Sequence, residues 1–289
     1  MYRKGIILAG GKGTRLYPTT KAIPKCLLPV YDKPMIYYSV STLMLAGIRE
    51  ILVITTPADK ERVNTLLGDG KKWGIDIVYK IQDQPRGIAE ALIIAEEFID
   101  KKPCALMLGD NIFHGPELQS KLTHAYSSNN NTIFAYEVPD PERFGICELN
   151  GEDKVISIEE KPSIPKSNLC VTGLYFYDGH ASEVASNIEP SPRGELEITD
   201  VNISYMEQEN LFAEVLNQEY IWMDAGTVES FLEASLFVKS IEQKNGIKIS
   251  CPEEIAYNNK WIDKDKVKKI AEDLSSSPYS DYLLNIVKN

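Results

Sequence analysis

Residues 10–13 contain three glycines in four positions and follow directly on the apolar run 6–9. Without Cβ atoms, successive backbone N–H groups of such a segment can converge on phosphate oxygens. Arg15 and Lys25 come soon afterwards and add two positive charges. Amide dipoles and fixed cations together offset the desolvation of several anionic oxygens. The start of the chain therefore predicts a strand that leads into a binding loop for a polyphosphate.

Two common phosphate-binding motifs do not fit this spacing. A Walker A loop needs Gly, four residues, Gly, Lys and then Ser or Thr, whereas Lys12 stands between glycines here. The dinucleotide fingerprint needs a third glycine at the position that Leu16 occupies. The spacing excludes a P-loop and disfavours a nicotinamide-dependent oxidoreductase, which remains a distant alternative.

Two other segments each carry an apolar strand into an aspartate. Residues 106–111 read Leu-Met-Leu-Gly-Asp-Asn, and residues 220–227 read Tyr-Ile-Trp-Met-Asp-Ala-Gly-Thr, so Asp110 and Asp224 each close a strand. Open α/β sheets bind their ligands at the carboxyl ends of the strands. Two carboxylates that converge there would hold one Mg²⁺ through oxygen and leave positions for water and phosphate. The alternative for Asp110 is a simple turn, since Asp-Asn favours turns.

A polar stretch at residues 82–87 lies between a predicted strand and a predicted helix. The amide of Gln82 offers a donor and an acceptor, as the edge of a pyrimidine imide or amide requires. Gly87, expected at the start of the helix, would let backbone approach the ring of a base. The alternative is a polar loop with a glycine that opens the helix.

The run 10–18, together with Pro24-Lys25, resembles the signature of the sugar-phosphate nucleotidylyltransferases almost residue for residue. The chain from Lys4 to about Ala256 is similar to the bacterial glucose-1-phosphate thymidylyltransferases in particular, more than to the uridylyl or guanylyl enzymes. The segments that carry this similarity are 31–38, 68–70, 140–145 and 172–178.

This resemblance implies transfer of a thymidylyl group from dTTP to α-D-glucose 1-phosphate, which gives dTDP-glucose and pyrophosphate. That reaction is the entry to dTDP-rhamnose and related deoxysugars. The resemblance also implies a Mg²⁺ requirement, a homotetramer, and feedback by a dTDP-sugar at a separate site.

Roles for individual residues follow from the same resemblance. The implied catalytic residues are Arg15, Lys25, Asp110 and Lys161, and the implied metal ligands are Asp110 and Asp224. The nucleotide would be bound by Leu8, Gly10, Gly11, Gly13, Thr14, Gln82 and Gly87. The sugar phosphate would be bound by Gly145, Glu160, Lys161, Val171 and Arg193. Taken alone, the charged run around Glu160 is typical of a solvated surface, and Gly145 and Val171 are typical of a hairpin turn and a core strand.

Three positions depart from the family pattern. Cys26 replaces a common glutamine, Arg86 stands where an acidic or small residue is common, and Ala225 replaces a threonine. Cys26 and Arg86 border the predicted nucleotide site, so they leave the choice of base open. A uridylyl- or cytidylyltransferase of the same fold is therefore the nearest alternative, and a non-catalytic sugar-nucleotide sensor is a more distant one.

The elements that must position these residues alternate between short β-branched runs and helical patterns, as parallel strands joined by crossover helices do. We expect strands near 5–9, 50–55, 76–80, 104–108 and 132–136, and helices near 34–46, 59–67, 87–98 and 116–127. Pro34 suits the first position of its helix. Closely spaced β runs follow at 144–149, 154–159 and 170–177, with Asn150-Gly151 as a hairpin turn.

The predicted fold class is α/β, with a Rossmann-like, mostly parallel sheet flanked by helices, a β-rich sugar-binding insert and a helical C-terminal region. Residues 1–226 are expected to form the nucleotidyltransferase core, with the insert at about 140–222. Residues 227–289 are expected to be helical, to pack on the core and to contribute to oligomerisation. Thr227 is the expected opening of the first of these helices.

Length and composition exclude several classes of protein. A chain of 289 residues can bury a full core, and a net charge of −11 argues against a nucleic-acid binder. No run approaches the 18 or so apolar residues of a membrane span, and the first strand starts too early for a secretory signal, so a cytoplasmic location is expected. Five widely spaced cysteines and three histidines suggest neither a disulfide framework nor a zinc site.

Overall fold

The computed structural model describes residues 2–288. Its strands are β1 (Lys4–Leu8), β2 (Pro29–Val30), β3 (Lys33–Pro34), β4 (Glu50–Thr55), β5 (Asp76–Ile81), β6 (Cys104–Leu108), β7 (Asn111–His114), β8 (Asn131–Glu137), β9 (Gly145–Leu149), β10 (Val155–Glu160), β11 (Leu169–Tyr177), β12 (Leu211–Leu216) and β13 (Ile221–Asp224). Its α-helices are α1 (Ile36–Leu45), α2 (Lys60–Leu67), α3 (Glu90–Ile94), α4 (Glu96–Ile99), α5 (Leu118–Ser127), α6 (Ala181–Ser186), α7 (Ile198–Glu207), α8 (Val228–Asn245), α9 (Pro252–Asn258), α10 (Lys264–Asp273) and α11 (Pro278–Ile286). Short 3₁₀ helices lie at Thr14–Leu16, Thr19–Lys21, Lys25–Leu27, Lys71–Trp73 and Pro141–Arg143.

One large mixed sheet organises the chain. Its parallel half runs in the order β5-β4-β1-β6, with helices on both faces. Strand β11 then pairs antiparallel with β6, β8 and β9, while β10 pairs with β9 and β12 runs parallel to β8. The predicted α/β fold class is confirmed. The strands of the predicted β-rich insert continue the central sheet; the division into domains stays a prediction.

The core consists of two apolar layers, one on each face of this sheet. Successive side chains of a strand point to opposite faces. Ile7 therefore packs in one layer with helix α1, whereas Ile6 packs in the other layer with helix α3. Because both of their faces are covered, the central strands β1, β4 and β6 are apolar at nearly every position, whereas the edge strand β5 is partly exposed.

Two expectations about helix starts are wrong. Pro34 lies in β3, where it pairs with Pro29, and helix α1 begins only at Ile36. The predicted helix over 87–98 begins at Glu90 and is divided into α3 and α4. The residues before Glu90 cannot open a helix because they bond to another segment: Leu196 donates its N–H to the Arg86 carbonyl at 2.8 Å, and Ala89 donates to the Leu196 carbonyl at 3.1 Å.

A buried ion network joins helix α8 to the turn between β2 and β3. The Lys33 ammonium lies 2.8 Å from Glu242 and 2.6 Å from Asp32. Lys248 binds the other oxygen of Glu242 at 3.0 Å and also pairs with Asp32. The side chains of Lys33 and Glu242 are only 1% and 4% exposed. Helix α8 and the segment that follows it are thus attached to the β2–β3 hairpin by charge.

Two further observations concern sequence features raised above. Within residues 2–288, no helix is long and apolar enough to cross a membrane. The five cysteines are buried and unpaired. Burial raises the pKa of four of their thiols to about 12, those of Cys26, Cys104, Cys147 and Cys170.

Candidate active site

A cleft of about 360 Å³ opens at the carboxyl ends of β1 and β6. Many of the predicted site residues line it: Leu8, Gly10, Gly11, Arg15, Lys25, Asp110, Gly145, Glu160, Lys161, Val171 and Asp224. Five other predicted residues are not part of the lining: Gly13, Thr14, Gln82, Gly87 and Arg193. The sheet edge thus brings together residues from distant parts of the chain, as the rule for open α/β sheets requires.

The glycine-rich loop follows β1 as a series of turns. Gly11 and Gly13 have positive φ values of +94° and +58°, in the region that side chains other than glycine rarely adopt. A Cβ on Gly10 would lie 2.9 Å from Gln82 Oε1, so glycine is also required there for space. Arg15 is exposed on the 3₁₀ helix that follows, and among the described residues its guanidinium has no ion-pair partner. The loop therefore leaves backbone amides and one guanidinium for an anionic ligand.

Asp110 and Asp224 meet because their strands pair. Strand β7 is antiparallel to β13, with Asn111 opposite Asp224. Ala225 then donates its backbone N–H to the Asp110 carbonyl at 3.0 Å. The two strand-ending aspartates that the sequence singled out are therefore neighbours at one side of the cleft.

The two carboxylates have opposite electrostatic environments. Burial opposes ionisation of Asp110, but the charge and hydrogen bond of Lys25 and a 2.9 Å bond from the Asn111 amide together lower its pKa. Burial and the negative charge of Asp110 raise the pKa of Asp224 to about 6. Asp224 Oδ1 is buried and accepts no hydrogen bond from any described residue. The pair is therefore short of positive charge on its Asp224 side.

This shortage is what a divalent cation would relieve. Carboxylate oxygens are the protein ligands that Mg²⁺ prefers, and it is often held by one or two of them, with water and phosphate completing the shell. Within residues 2–288, no group of three or more His, Cys, Asp and Glu side chains could hold a metal ion. The two aspartates therefore fit a magnesium ion that shares a substrate phosphate better than a closed protein site.

Asn111 connects this pair to the opposite side of the cleft. Its side chain is buried, and its Oδ1 accepts from the Gly173 N–H at 3.0 Å and from Trp222 Nε1 at 2.6 Å. A Cβ on Gly173 would lie 2.5 Å from that oxygen, so a larger residue would displace the amide. Asn111 and Trp222 stand beside the two aspartates in the sequence, and that adjacency was the available signal for them.

The predicted sugar-phosphate residues form a charged cluster. Glu160 Oε2 accepts from the Thr199 hydroxyl at 2.7 Å, and Glu160 Oε1 lies 3.0 Å from the Lys161 ammonium and 3.7 Å from the Arg193 guanidinium. The side chains of Lys161 and Arg193 are 45% and 49% exposed, so both cations can reach a ligand in the cleft. Bonding to Glu197 and further nearby carboxylates raises the pKa of Arg193.

Backbone and aromatic residues complete this side of the cleft. A Cβ on Gly145 would approach both Glu160 and Thr199 at 3.3 Å, so glycine keeps space open above the carboxylate. Phe144 packs on Trp222 with ring centroids 5.4 Å apart, and Arg143 adds a further cation to the lining. Sequence reasoning assigned no role to Arg143 or Thr199, although Arg143 lies in the segment 140–145 that carries the family resemblance.

The predicted base-reading residues lie next to the glycine loop. Gln82 is buried, and its Nε2 donates to the Gly87 carbonyl at 3.2 Å and to Glu90 Oε2 at 2.8 Å. Gly87 does not open the helix as expected, because α3 begins three residues later. Glycine is required there for another reason: with φ at +107°, a Cβ would lie 2.2 Å from the Leu196 carbonyl oxygen. Of the departures from the family pattern, Cys26 lines the cleft, whereas Arg86 pairs with Glu90 at 2.6 Å.

Comparison with known proteins places this cleft in context. Residues 4–241 match the family model described as nucleotidyl transferase. The chain is 51% identical over 287 residues to a glucose-1-phosphate thymidylyltransferase of Xanthomonas campestris pv. campestris, covering 99% of this chain and 97% of that protein. It is 50% identical to the enzyme of that name from Neisseria meningitidis serogroup A, with 99% of each chain covered. For the enzyme of Mycobacterium tuberculosis the identity is 49%, again with 99% of each chain covered.

Solved structures show the same fold. One is the crystal structure of a proposed glucose-1-phosphate thymidylyltransferase from Bacillus anthracis in complex with sucrose. Its sequence is 40% identical to this chain and its TM-score is 0.74, and the match covers 81% of this chain and 94% of that one. A UDP-glucose pyrophosphorylase in complex with UDP-glucose is 26% identical with a TM-score of 0.73, covering 85% of this chain and all of that one.

Proposed function

The chain belongs to the nucleotidyl transferase family, and on that premise we propose that it transfers a thymidylyl group from dTTP to α-D-glucose 1-phosphate. The products are dTDP-glucose and pyrophosphate. Three relatives of this name are about 50% identical over nearly the full length of the chain. One observation in the structure carries the proposal: the glycine loop, the aspartate pair and the cluster around Glu160 line a single cleft.

The reaction needs no nucleophile from the protein. A phosphate oxygen of the sugar phosphate attacks the α-phosphorus of the nucleotide, a new P–O bond forms, and the bond to pyrophosphate breaks on the opposite side. Catalysis of such a transfer consists of positioning and charge stabilisation. We assign these tasks to residues on the two sides of the cleft.

On the nucleotide side, the amides of the glycine loop face the polyphosphate and Arg15 neutralises charge on the departing pyrophosphate. Lys25, bound to Asp110, holds a second positive charge beside them. Asp110 and Asp224 would hold Mg²⁺, which when bound supplies positive charge to the phosphate oxygens. The unbonded, buried oxygen of Asp224 supports this assignment.

On the sugar side, Lys161 and Arg193 hold the phosphate that attacks, and Glu160 accepts hydrogen bonds from sugar hydroxyls. In this structure both cations lie against Glu160 or Glu197, which keeps them in place at the cleft. Gly145 and Val171 offer backbone to the hexose. The glycine loop and the cluster around Glu160 line one cleft, which supports an in-line reaction between their two ligands.

A homotetramer, a cytoplasmic location and feedback by a dTDP-sugar belong to the same proposal. Helix α8 supports the first of these. Val228, Leu232 and Leu236 follow one another at intervals of four residues and are 53%, 57% and 56% exposed, so they form an apolar stripe on one face of the helix. A second copy of the chain is the partner that we expect there.

A panel of nucleoside triphosphates, each assayed with glucose 1-phosphate for release of pyrophosphate, tests the function directly. We expect dTTP to give the highest kcat/KM. A preference for UTP would point to the activity named for the UDP-glucose pyrophosphorylase neighbour. Tight binding of a sugar nucleotide without turnover would indicate a sensor, and reduction of NAD⁺ would indicate an oxidoreductase.

A further inference from the structure

We propose that Glu90, held by Arg86, fixes the direction of the Gln82 amide and so makes the site select bases whose N3 carries a hydrogen. The proposal rests on the proposed function, in which Gln82 meets the base. Glu90 would then be a positioning residue, since it acts on the base through Gln82. Thymine and uracil carry a hydrogen on N3, whereas the N3 of cytosine is an acceptor.

The hydrogen-bond partners of the Gln82 side chain determine where its amide nitrogen and its amide oxygen lie. The nitrogen and oxygen of an amide are alike in shape, so their positions are assigned from the groups around them. Here one side of the amide meets the carbonyl of Gly87 at 3.2 Å and a carboxylate oxygen of Glu90 at 2.8 Å. A carbonyl and an ionised carboxylate only accept hydrogen bonds. The NH₂ group must therefore occupy that side.

The oxygen of the same amide is left free toward the nucleotide loop. Gln82 Oε1 lies 2.9 Å from where a Cβ on Gly10 would be, and Gly10 lines the cleft. Among the described residues, no donor is bonded to this oxygen. A base with N3–H can satisfy it, whereas cytosine would present a second acceptor. A buried acceptor that meets another acceptor costs free energy, which is how such sites reject the wrong base.

Arg86 holds the Glu90 carboxylate in place beside Gln82. The Glu90 side chain is only 8% exposed, and an isolated charge in such a place is costly. The Arg86 guanidinium binds its Oε1 at 2.6 Å and leaves Oε2 for Gln82. The arginine that departs from the family pattern thus supports the orientation of the base reader.

The test compares kcat/KM for dUTP and dCTP, which differ only at the edge of the base, with dTTP as the reference substrate. In Glu90→Gln the introduced side chain can donate a hydrogen bond to Gln82 Oε1, so the Gln82 amide can turn over. We then expect the dUTP:dCTP ratio of kcat/KM to fall about tenfold. In Arg86→Ala the ratio should fall about threefold, and Arg86→Lys should restore it. Glu97→Gln is the matched control, because Glu97 is 87% exposed and pairs only with Lys80; its ratio should equal that of the wild type.

Arg86 is 65% exposed, so its variants should fold even if Glu90→Gln does not. The proposal is overturned if the wild type prefers dTTP but both Glu90→Gln and Arg86→Ala keep the wild-type dUTP:dCTP ratio. A fall in the kcat of these variants would not change that conclusion. A wild-type chain that favours dCTP or releases no pyrophosphate overturns the proposed function, and this proposal with it.

Discussion

Ala225 donates its backbone N–H to the carbonyl oxygen of Asp110 at 3.0 Å. This bond, with the pairing of β7 and β13, fixes the Asp224 carboxylate beside that of Asp110 before any ligand arrives. The cost of bringing two negative groups together is thereby met by folding. The rise in the pKa of Asp224 records that cost. A cation bound between Asp110 and Asp224 relieves the repulsion between the two carboxylates, and this relief adds to its affinity.

Asp110→Asn should lower kcat/KM by about 10²- to 10³-fold and raise the Mg²⁺ concentration needed for half-maximal rate, because the variant loses one ligand charge and releases Lys25. A Mg²⁺ titration of the initial rate measures both effects. Asp76→Asn is the control, since Asp76 is exposed and remote from the cleft. An unchanged Mg²⁺ titration in Asp110→Asn would exclude Asp110 as a ligand.

Arg15→Ala and Lys161→Ala should each reduce kcat/KM by about 10²- to 10³-fold, since each removes one preorganised charge. The two should differ in character: Lys161→Ala should also raise the KM for glucose 1-phosphate, whereas Arg15→Ala should act on turnover and on dTTP. Steady-state kinetics with each substrate varied separates them. Lys268→Ala, on the exposed face of α10, should match the wild type. If both site variants kept wild-type kcat/KM in a folded protein, the assigned roles would be wrong.

Mg²⁺ binding should weaken as the pH falls through about 6, because Asp224, with its pKa raised to about 6, takes up a proton there. A protonated carboxyl is a poor ligand for Mg²⁺. The pKa of Asp110 is lowered, so it stays ionised over this range. Rates at limiting Mg²⁺ between pH 5 and pH 8 measure the effect. The pH dependence should disappear in Asp224→Asn, and its persistence there would assign it to another group.

The same shift has a consequence for the stability of the metal-free protein. Because folding raises the pKa of Asp224, the folded state binds more protons than the unfolded state between about pH 4 and pH 6. The contribution of Asp224 to the stability of the folded state is therefore fully present below about pH 4 and is lost as the pH rises through about 6. Asp224→Asn should raise the Tm in the presence of a chelator by more at pH 7.5 than at pH 5, because only part of the contribution of Asp224 has been lost at pH 5. A Tm increase of the same size at both pH values would contradict this account.

Glu242→Ala should lower the free energy of unfolding by about 3–5 kcal/mol, because it removes a buried carboxylate that binds both Lys33 and Lys248. Denaturation in urea, followed by tryptophan fluorescence, measures the change. Asp265→Ala breaks only an exposed pair with Lys268 and should cost less than about 1 kcal/mol. Equal effects of the two substitutions would mean that the network adds no stability.

Leu232→Glu should reduce the oligomer to smaller species, since it puts a charge into the apolar stripe of helix α8. Light scattering coupled to size-exclusion chromatography gives the mass of the wild type and the variant. Glu233→Gln on the same helix provides a comparison outside the stripe. A tetramer that survives Leu232→Glu, or a wild type that is a monomer, would refute the assignment of this face.

The central parallel strands, β1, β4 and β6, were predictable because they are buried on both faces. Strands β1, β4, β5 and β6 read as uninterrupted or nearly uninterrupted apolar runs, and each predicted span agrees with the structure to within one residue. The missed strands, β2, β3, β7 and β12, are short, half polar, or dependent on a partner far away in the sequence, whereas β13 was expected from the apolar run that ends at Asp224. Pro34 shows the limit of local rules, because it suits a helix start as well as the strand in which it lies.

The site was predictable where its chemistry lies in one short segment. The glycine loop and the Gly-Asp strand ends carry recognisable residue types at fixed spacing. Thr199 and Arg143 reach the cleft through tertiary packing, so their place in the site could not be predicted even though Arg143 lies in a family-like segment. The direction of the Gln82 amide depends likewise on Glu90 and Gly87 together. The roles assigned to all of these residues stay predictions until the variants above are measured.

Because every thiol is buried, alkylation of the cysteines reports which part of the protein unfolds. A small alkylating reagent can modify Cys104, in the centre of the sheet, only when the sheet opens. Cys251 lies among the C-terminal helices and would be labelled when those helices detach. Comparing the two alkylation rates by mass spectrometry therefore distinguishes release of the helical end from collapse of the whole fold, with no engineered probe.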